Sequence, residues 1–319
     1  MNKGDRVAQR SAFGKALVEI ADAYPKMVVF DADVCASTQT VLFKKAYPDR
    51  FYEMGIAEAN MVGAAAGMAL CGFTPWVSTF AVFLAKRALD QVRVSVAHAK
   101  LPVKLNAAYG GLPTGRAGAT HSSVEDLAIM RAMPNMTVLC PADAVETMAM
   151  TDLAMTIDGP VYLRTVRCEV PVIFESSWRP TLGQAAKLAD GDDLAICSEG
   201  MMTPVALAAC ERLAAHGVRA RLLHYGTIKP FDAEAVAEAA RDCGAILTIE
   251  NHSVIGGLGG AVCEALADRG AGCFVRRLGF PDTFMESGDD DQIFAGFGMD
   301  VDGVVRNAQE LLSRKRSRN

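Results

Sequence analysis

Residues 51–83 read FYEMGIAEANMVGAAAGMALCGFTPWVSTFAVF. One acid, Glu58, stands just ahead of a run of small and apolar residues: Ala59, Met61, Val62, Gly63, Ala64, Ala65, Ala66 and Gly67. A carboxylate at a helix start is ordinary, because free N–H groups and the helix dipole favour negative charge there. A helix so short of polar residues is buried all round, and side chains this small let another backbone approach closely. The stretch therefore predicts a helix from Glu58, a strand over 74–78, and two phenylalanines, Phe80 and Phe83, heading a long helix over 80–97. It places Glu58 at an apolar junction.

Outward from that stretch, strand and helix alternate. A helix over 11–23 precedes MVVFDAD (27–33), a buried strand ending in acids, and a helical segment covers 41–47. Beyond the Glu58 region come a strand over 103–108, the glycine-rich loop YGGLPTGRAGATH (109–121), and SSVEDLAIMRAM (122–133), a helix with a capping-box spacing at its start. MTVLC (136–140), a helix over 142–156 and PVYLRT (160–165) complete the first half. Around 170–190 the periodicity lapses among prolines and glycines, as an interdomain connection would. A second series follows, with strands over 192–198, 218–224, 245–251 and 273–279 and helices between and after them. Such alternation predicts an α/β protein: two doubly wound domains with mostly parallel sheets, over 1–172 and 191–319, joined by a linker over 173–190.

Composition agrees with a globular chain. Of 319 residues, 51% are hydrophobic and 22% charged, and the net charge of −5 offers nucleic acid no broad basic surface. The basic end, SRKRSRN, reads as a solvated, disordered tail. Nine cysteines are scattered without a C-x-x-C pair, which suits buried free thiols in a reducing cytoplasm better than disulfides or a zinc site. The polar opening MNKGDRVAQRS lacks an apolar signal core. No run approaches the roughly 18 apolar residues of a membrane span. GGLGG (256–260) follows a strand and starts a helix, but misses the G-x-G-x-x-G spacing, so close helix–sheet packing explains it better than dinucleotide binding.

The string GIAEANMVGAAAGMA followed by STFAVF resembles the pyrimidine-binding domain of transketolases and their thiamine-diphosphate relatives. ENHSVIGGLGGAV (250–262) is similar to the C-terminal domain of the same family. The resemblance covers nearly the whole chain. It implies that Glu58 hydrogen-bonds N1′ of the coenzyme's aminopyrimidine, favouring the imino tautomer that deprotonates the thiazolium C2, and that Phe80 and Phe83 grip the pyrimidine. The transketolase domain that holds Mg²⁺ and the diphosphate carries a GDG motif, and no GDG triplet occurs here. The chain thus looks like the smaller subunit of a split transketolase. The resemblance implies a separate N-terminal subunit for the diphosphate and Mg²⁺, and a self-associating dimer within an α2β2 assembly. It also implies transfer of a two-carbon ketol unit from a ketose (phosphate) to an aldose.

The same resemblance assigns substrate roles, each beside an ordinary reading. Asp33 and Ser37 follow a strand's C-terminal end, where α/β sheets bind ligands; unaided they read as a turn or capping pair. His121 matches the histidine that contacts the sugar's reacting hydroxyls, and a near-neutral pKa suits proton transfer; a lone histidine can also be structural. Arg164 corresponds to the arginine holding the phosphate end, a task for which a planar guanidinium fork is suited; it could equally form a salt bridge. No metal ligand is expected in this chain.

The departures from the family pattern fall in the loop. Tyr109 stands where transketolases have a phosphate-binding histidine, and Ala117 where an aspartate contacts a sugar hydroxyl. Arg116 replaces a glutamate, and Lys86 occupies a position that is aromatic in some relatives. Either the substrate is a non-standard sugar, with Tyr109 and Arg116 supplying different contacts, or the changes are neutral. Two other readings remain at this point. One is a sibling enzyme, the beta-type subunit of a 2-oxo acid dehydrogenase or a deoxyxylulose-phosphate-synthase-like enzyme. The other is a non-catalytic scaffold subunit.

Overall fold

The computed structural model describes residues 1–112 and 115–317; Pro113 and Thr114 of the glycine-rich loop, and Arg318 and Asn319 of the basic tail, lie outside the described residues. The strands are β1 (Arg6–Ala8), β2 (Met27–Asp31), β3 (Phe51–Glu53), β4 (Thr74–Phe80), β5 (Lys104–Ala108), β6 (Thr137–Leu139) and β7 (Val161–Arg164). They continue as β8 (Glu169–Pro171), β9 (Ala186–Ala189), β10 (Leu194–Ser198), β11 (Ala220–His224), β12 (Thr227–Lys229), β13 (Ala245–Ser253) and β14 (Phe274–Phe280).

The first sheet runs β12–β6–β7–β5–β4–β2–β3, and every neighbouring pair in it is parallel except β12 with β6. The second runs β14–β13–β10–β11–β9, parallel except for the β9 edge. Every residue of β2, β5 and β10 is buried, as parallel strands covered on both faces by helices require. The chain is therefore an α/β protein built of two doubly wound units. A small antiparallel ribbon, β1 with β8, ties the start of the chain to residues 169–171.

The Glu58 helix spans Glu58–Leu70 and buries Met61, Val62, Ala65, Ala66 and Ala69. It is not buried all round. Gly67 is exposed, and a Cβ added at Gly63 or Gly67 would meet nothing within 4 Å, so the small residues leave an open face.

Several local expectations are corrected. The long helix over 80–97 is broken into Ala81–Lys86, Leu89–Gln91 and a π-helical stretch Val92–His98. Its kink lies where both Arg87 N and Ala88 N donate to Phe83 O, at 2.8 and 3.2 Å. The capping box at Ser122 does not form, and the helix starts at Asp126. Ser123 instead exchanges two backbone hydrogen bonds of 2.9 Å with Gly111, which pulls the segment into the glycine-rich loop. The described part of the basic tail is helical: Val301–Arg316 continues to Arg316, and Lys315 Nζ donates to Asp193 O and Cys243 O at 3.0 and 2.7 Å. Within the stretch read as linker, Ala186–Ala189 forms β9 of the second sheet. All nine cysteines are free, four of them buried and Cys71 and Cys263 exposed. Among the described residues no helix is long and apolar enough to cross a membrane.

The two units share a polar seam. β12, from the second half of the chain, completes the first sheet, and Lys229 Nζ donates to Arg131 O and Met133 O at 3.0 and 2.6 Å. His252 crosses as well: Ala128 N donates to its Nε2 at 3.3 Å, so Nδ1 carries the proton and donates to Ser253 O at 2.7 Å. Glu250 accepts from Gly259 N at 3.0 Å at the start of Leu258–Asp268, and burial pushes its carboxyl up to about 8. A Cβ at Gly257 would sit 2.0 Å from Glu250 Oε2 and one at Gly259 2.8 Å from Glu250 Oε1, so these two glycines serve this close approach.

Candidate functional site

The C-terminal edge of the first sheet gathers most of the candidate residues, which is where an open α/β sheet presents groups to a ligand. The chain passes from β3 back across β2 to β4, so the strand order reverses between β2 and β4. Phe80 closes β4, Tyr109 follows β5, and Asp31 ends β2.

Glu58 is 1% exposed and is the first residue of its helix. Its two carboxylate oxygens accept from Arg87 Nη1 at 2.7 and 2.8 Å. The Arg87 guanidinium carbon lies 4.6 Å from the centre of the Phe83 ring. Phe83 stacks with Phe80 at 5.8 Å, and Phe80 stacks on Tyr109 at 4.3 Å. His121 is half-buried edge-on to Phe83 at 5.5 Å, with Thr120 Oγ1 2.9 Å from its Nδ1. A buried carboxylate, three stacked rings and one imidazole are thus brought together around Arg87.

Two arginines, Arg10 and Arg167, meet at Tyr109. Arg10 Nη1 donates to the Tyr109 hydroxyl at 3.0 Å and to Ser37 O at 3.1 Å, and Arg10 Nε is buried without a hydrogen-bond partner among the described residues. Arg167, exposed, also lies over the Tyr109 ring, 5.9 Å from its centre. Tyr109 itself has φ 61°, a left-handed conformation uncommon outside glycine. A cavity of about 1080 Å³ begins at Arg167; its lining combines Arg6, Arg116 and Arg167 with the acids Glu169, Asp289, Asp290, Asp291 and Asp300 and with apolar residues such as Met201 and Phe294.

Asp31 accepts from Thr38 Oγ1, Thr40 Oγ1 and Val34 N at 2.8, 2.8 and 2.7 Å. Burial nonetheless pushes its carboxyl up to about 6. This network fixes the loop that carries Asp33 and Ser37. Asp33 is exposed at φ 62°, its backbone N–H donating to Glu53 Oε1 at 2.8 Å. Arg116 is also exposed and is held by Asp289 of the second unit at 2.6 Å.

Arg164 is a correction. It was expected to hold a substrate phosphate, yet it is 2% exposed and fully engaged inside the protein. Nε and Nη2 fork onto the two oxygens of Asp126 at 2.9 Å each, and Nη2 also donates to Ser123 O and Asn251 O. Glu199 lies 3.7 Å away. Burial alone would lower the arginine's pKa, but Asp126 and Glu199 together hold it raised. Tyr162 and Arg164, two apart on β7, share a face, and both bond Asp126. An exposed guanidinium near Tyr109 is that of Arg167, three residues on, after the strand has ended.

Three residues went unforeseen. Arg87 lies four positions after Phe83 on a helical segment, the spacing that places side chains on one face. Arg10 and Arg167 carry no local signal, since only the fold brings 10, 109 and 167 together.

Residues 5–172 match the family of transketolase pyrimidine-binding domains, and residues 183–304 the family of transketolase C-terminal domains. A 6-deoxy-6-sulfo-D-fructose transketolase subunit from Clostridium sp. (strain MSTE9) is 40% identical over 97% of this chain and 96% of its own. A subunit of an apulose-4-phosphate transketolase from Phocaeicola vulgatus is 37% identical, over 97% and 98%. Among solved structures, a split-gene transketolase in an inactive β4 tetramer is 44% identical, covers 96% of this chain and 99% of its own, and superposes with a TM-score of 0.90.

Proposed function

The chain belongs to the transketolase family, and from that premise we propose that it works as the pyrimidine-binding subunit of a split, thiamine-diphosphate-dependent transketolase. The observation that carries this reading is the buried Glu58 carboxylate, joined through Arg87 to the ring of Phe83, which stacks with Phe80. The site fits an aminopyrimidine, because a planar N–H donor (the Arg87 guanidinium) already lies there, bonded to the carboxylate and resting on a ring. When bound, the coenzyme supplies the electron sink for cleaving a carbon–carbon bond of the ketose.

The residues of this chain supply position and proton traffic. Glu58 holds the pyrimidine ring nitrogen and its proton, while Phe80 and Phe83 orient the ring and keep water from it. His121 takes a proton from a substrate hydroxyl and returns it. Asp33 and Ser37, past the end of β2, reach the sugar's hydroxyls. The anionic end of the sugar lies toward Tyr109, Arg10 and Arg167, with Arg116 at the cavity wall. Arg167 thereby takes the place first given to Arg164. Relatives named for a sulfonated and a phosphorylated sugar support a substrate ending in a tetrahedral anion.

Mg²⁺ and the diphosphate are assigned to a separate N-terminal subunit, in line with relatives that are themselves named as subunits. The open Gly63–Gly67 face of the Glu58 helix supports pairing of two copies within an α2β2 assembly. In this scheme 1–172 binds the pyrimidine, and 191–319, with β9 from the stretch 173–190 added to its sheet, braces it.

The test is a ketol-transfer assay on the chain mixed with a diphosphate-binding transketolase subunit, thiamine diphosphate and Mg²⁺. Transfer is expected only with both subunits present. Decarboxylation of a 2-oxo acid in its place would contradict the reading. Arg167→Ala should raise KM for a phosphorylated or sulfonated ketose by about 10–100-fold, the loss of one charge-assisted contact of about 1.5–3 kcal/mol, with a smaller change in kcat. An unchanged KM would remove Arg167 from the site.

A further inference from the structure

Both places that an aminopyrimidine needs are held by one side chain of this protein. Arg87 Nη1 donates to both Glu58 oxygens, and the guanidinium rests 4.6 Å from the centre of the Phe83 ring. A guanidinium is planar, with its N–H donors in the plane. An aminopyrimidine is also flat, with nitrogens along its edge. The two groups would use the same pair of sites, an N–H edge at the Glu58 carboxylate and a place over the Phe83 ring. They cannot occupy them at one time.

We propose that Arg87 is a placeholder, filling the pyrimidine position until the coenzyme arrives and then withdrawing into solvent. This rests on the assignment of Glu58 and Phe83 to the coenzyme made above. The exposures favour it: the Glu58 side chain is 1% exposed and that of Arg87 49%, so the arginine enters from the open side and has water to return to. Without it, a coenzyme-free subunit would hold a buried carboxylate with no other side-chain hydrogen bond among the described residues, which is costly. Withdrawal needs only side-chain rotation, because Phe83 and Arg87 sit on one segment tied by the Arg87 N to Phe83 O bond of 2.8 Å. The neighbouring cation, Lys86, is paired with Glu125.

The consequence has an unusual sign: removing a cation beside a carboxylate should strengthen binding of a coenzyme. The experiment is calorimetric titration of thiamine diphosphate, with Mg²⁺, into the complete two-subunit enzyme carrying wild-type, Arg87→Met, Glu58→Gln or both changes. Arg87→Met should bind roughly 3–30-fold more tightly than wild type, and the rise in melting temperature on adding coenzyme should be larger. In the Glu58→Gln background the arginine change should have no effect, since the competition runs through the carboxylate. Arg87→Lys keeps the charge but cannot lie flat on Phe83, and should fall between. Its affinity decides the question if the methionine variant does not assemble. Equal or weaker binding by these variants overturns the placeholder role. If Glu58→Gln weakens binding while the arginine variants gain nothing, only that role falls. If Glu58→Gln leaves binding and turnover intact, the coenzyme assignment itself falls.

Discussion

Glu58→Gln in the two-subunit enzyme should lower kcat for ketol transfer by about 10²–10⁴-fold, the range set by loss of a positioned proton-transfer group. The substitution keeps the side chain's size and one acceptor oxygen, so the helix Glu58–Leu70 and its packing should persist. Arg87 loses an ionic partner, but at 49% exposure it can turn to water. Stability and the KM for the sugar should therefore change little, because the arginines proposed to meet the sugar's anionic end, Arg10 and Arg167, lie against Tyr109 rather than Glu58. Steady-state kinetics at saturating coenzyme make the measurement. Turnover within threefold of wild type would instead mark the chain as a scaffold that kept the fold.

The largest effect on stability is expected from Arg164→Met. The arginine is buried with Asp126 and Glu199, and its removal leaves both acids without their cation in a site closed to water. Breaking a buried pair in this way costs about 3–5 kcal/mol. The damage should spread across the seam, because Arg164 also bonds Asn251 O, and Asn251 Oδ1 accepts from Leu112 N at 3.0 Å. Gly111, at φ 72°, approaches Asn251 so closely that an added Cβ would lie 2.3 Å from its side chain. Urea unfolding followed by circular dichroism tests this, with Arg167→Ala as the exposed comparison that should cost well under 1 kcal/mol. A loss below about 1 kcal/mol for Arg164→Met would mean that the cluster is not held as described.

These contrasts show what the sequence could and could not convey. The α/β class was legible because apolar strands alternate with longer helical segments along nearly the whole chain. The Glu58–Phe83 stretch was legible because an acid, small residues and two phenylalanines lie within 26 positions of one another. β12 was not, since three residues before a proline look like a turn until β6 is beside them to pair with. Arg164 and Arg167 are both arginines at the end of one strand, and only the position of Asp126 decides which is internal. The capping box failed for a similar reason: Gly111, 12 positions before Ser123, pairs with it and removes it from the helix start. Partners distant in sequence set each of these outcomes, and local pattern carries no record of them.

The most direct measurement is a density map of this chain assembled with a diphosphate-binding subunit, thiamine diphosphate and Mg²⁺. The expected result puts a Glu58 oxygen at roughly 2.6–3.0 Å from a nitrogen of the pyrimidine, with the phosphates on the other polypeptide and Arg87 turned to solvent. A coenzyme bound elsewhere, with Glu58 still closed on Arg87 and no opening toward a neighbouring chain, would contradict it.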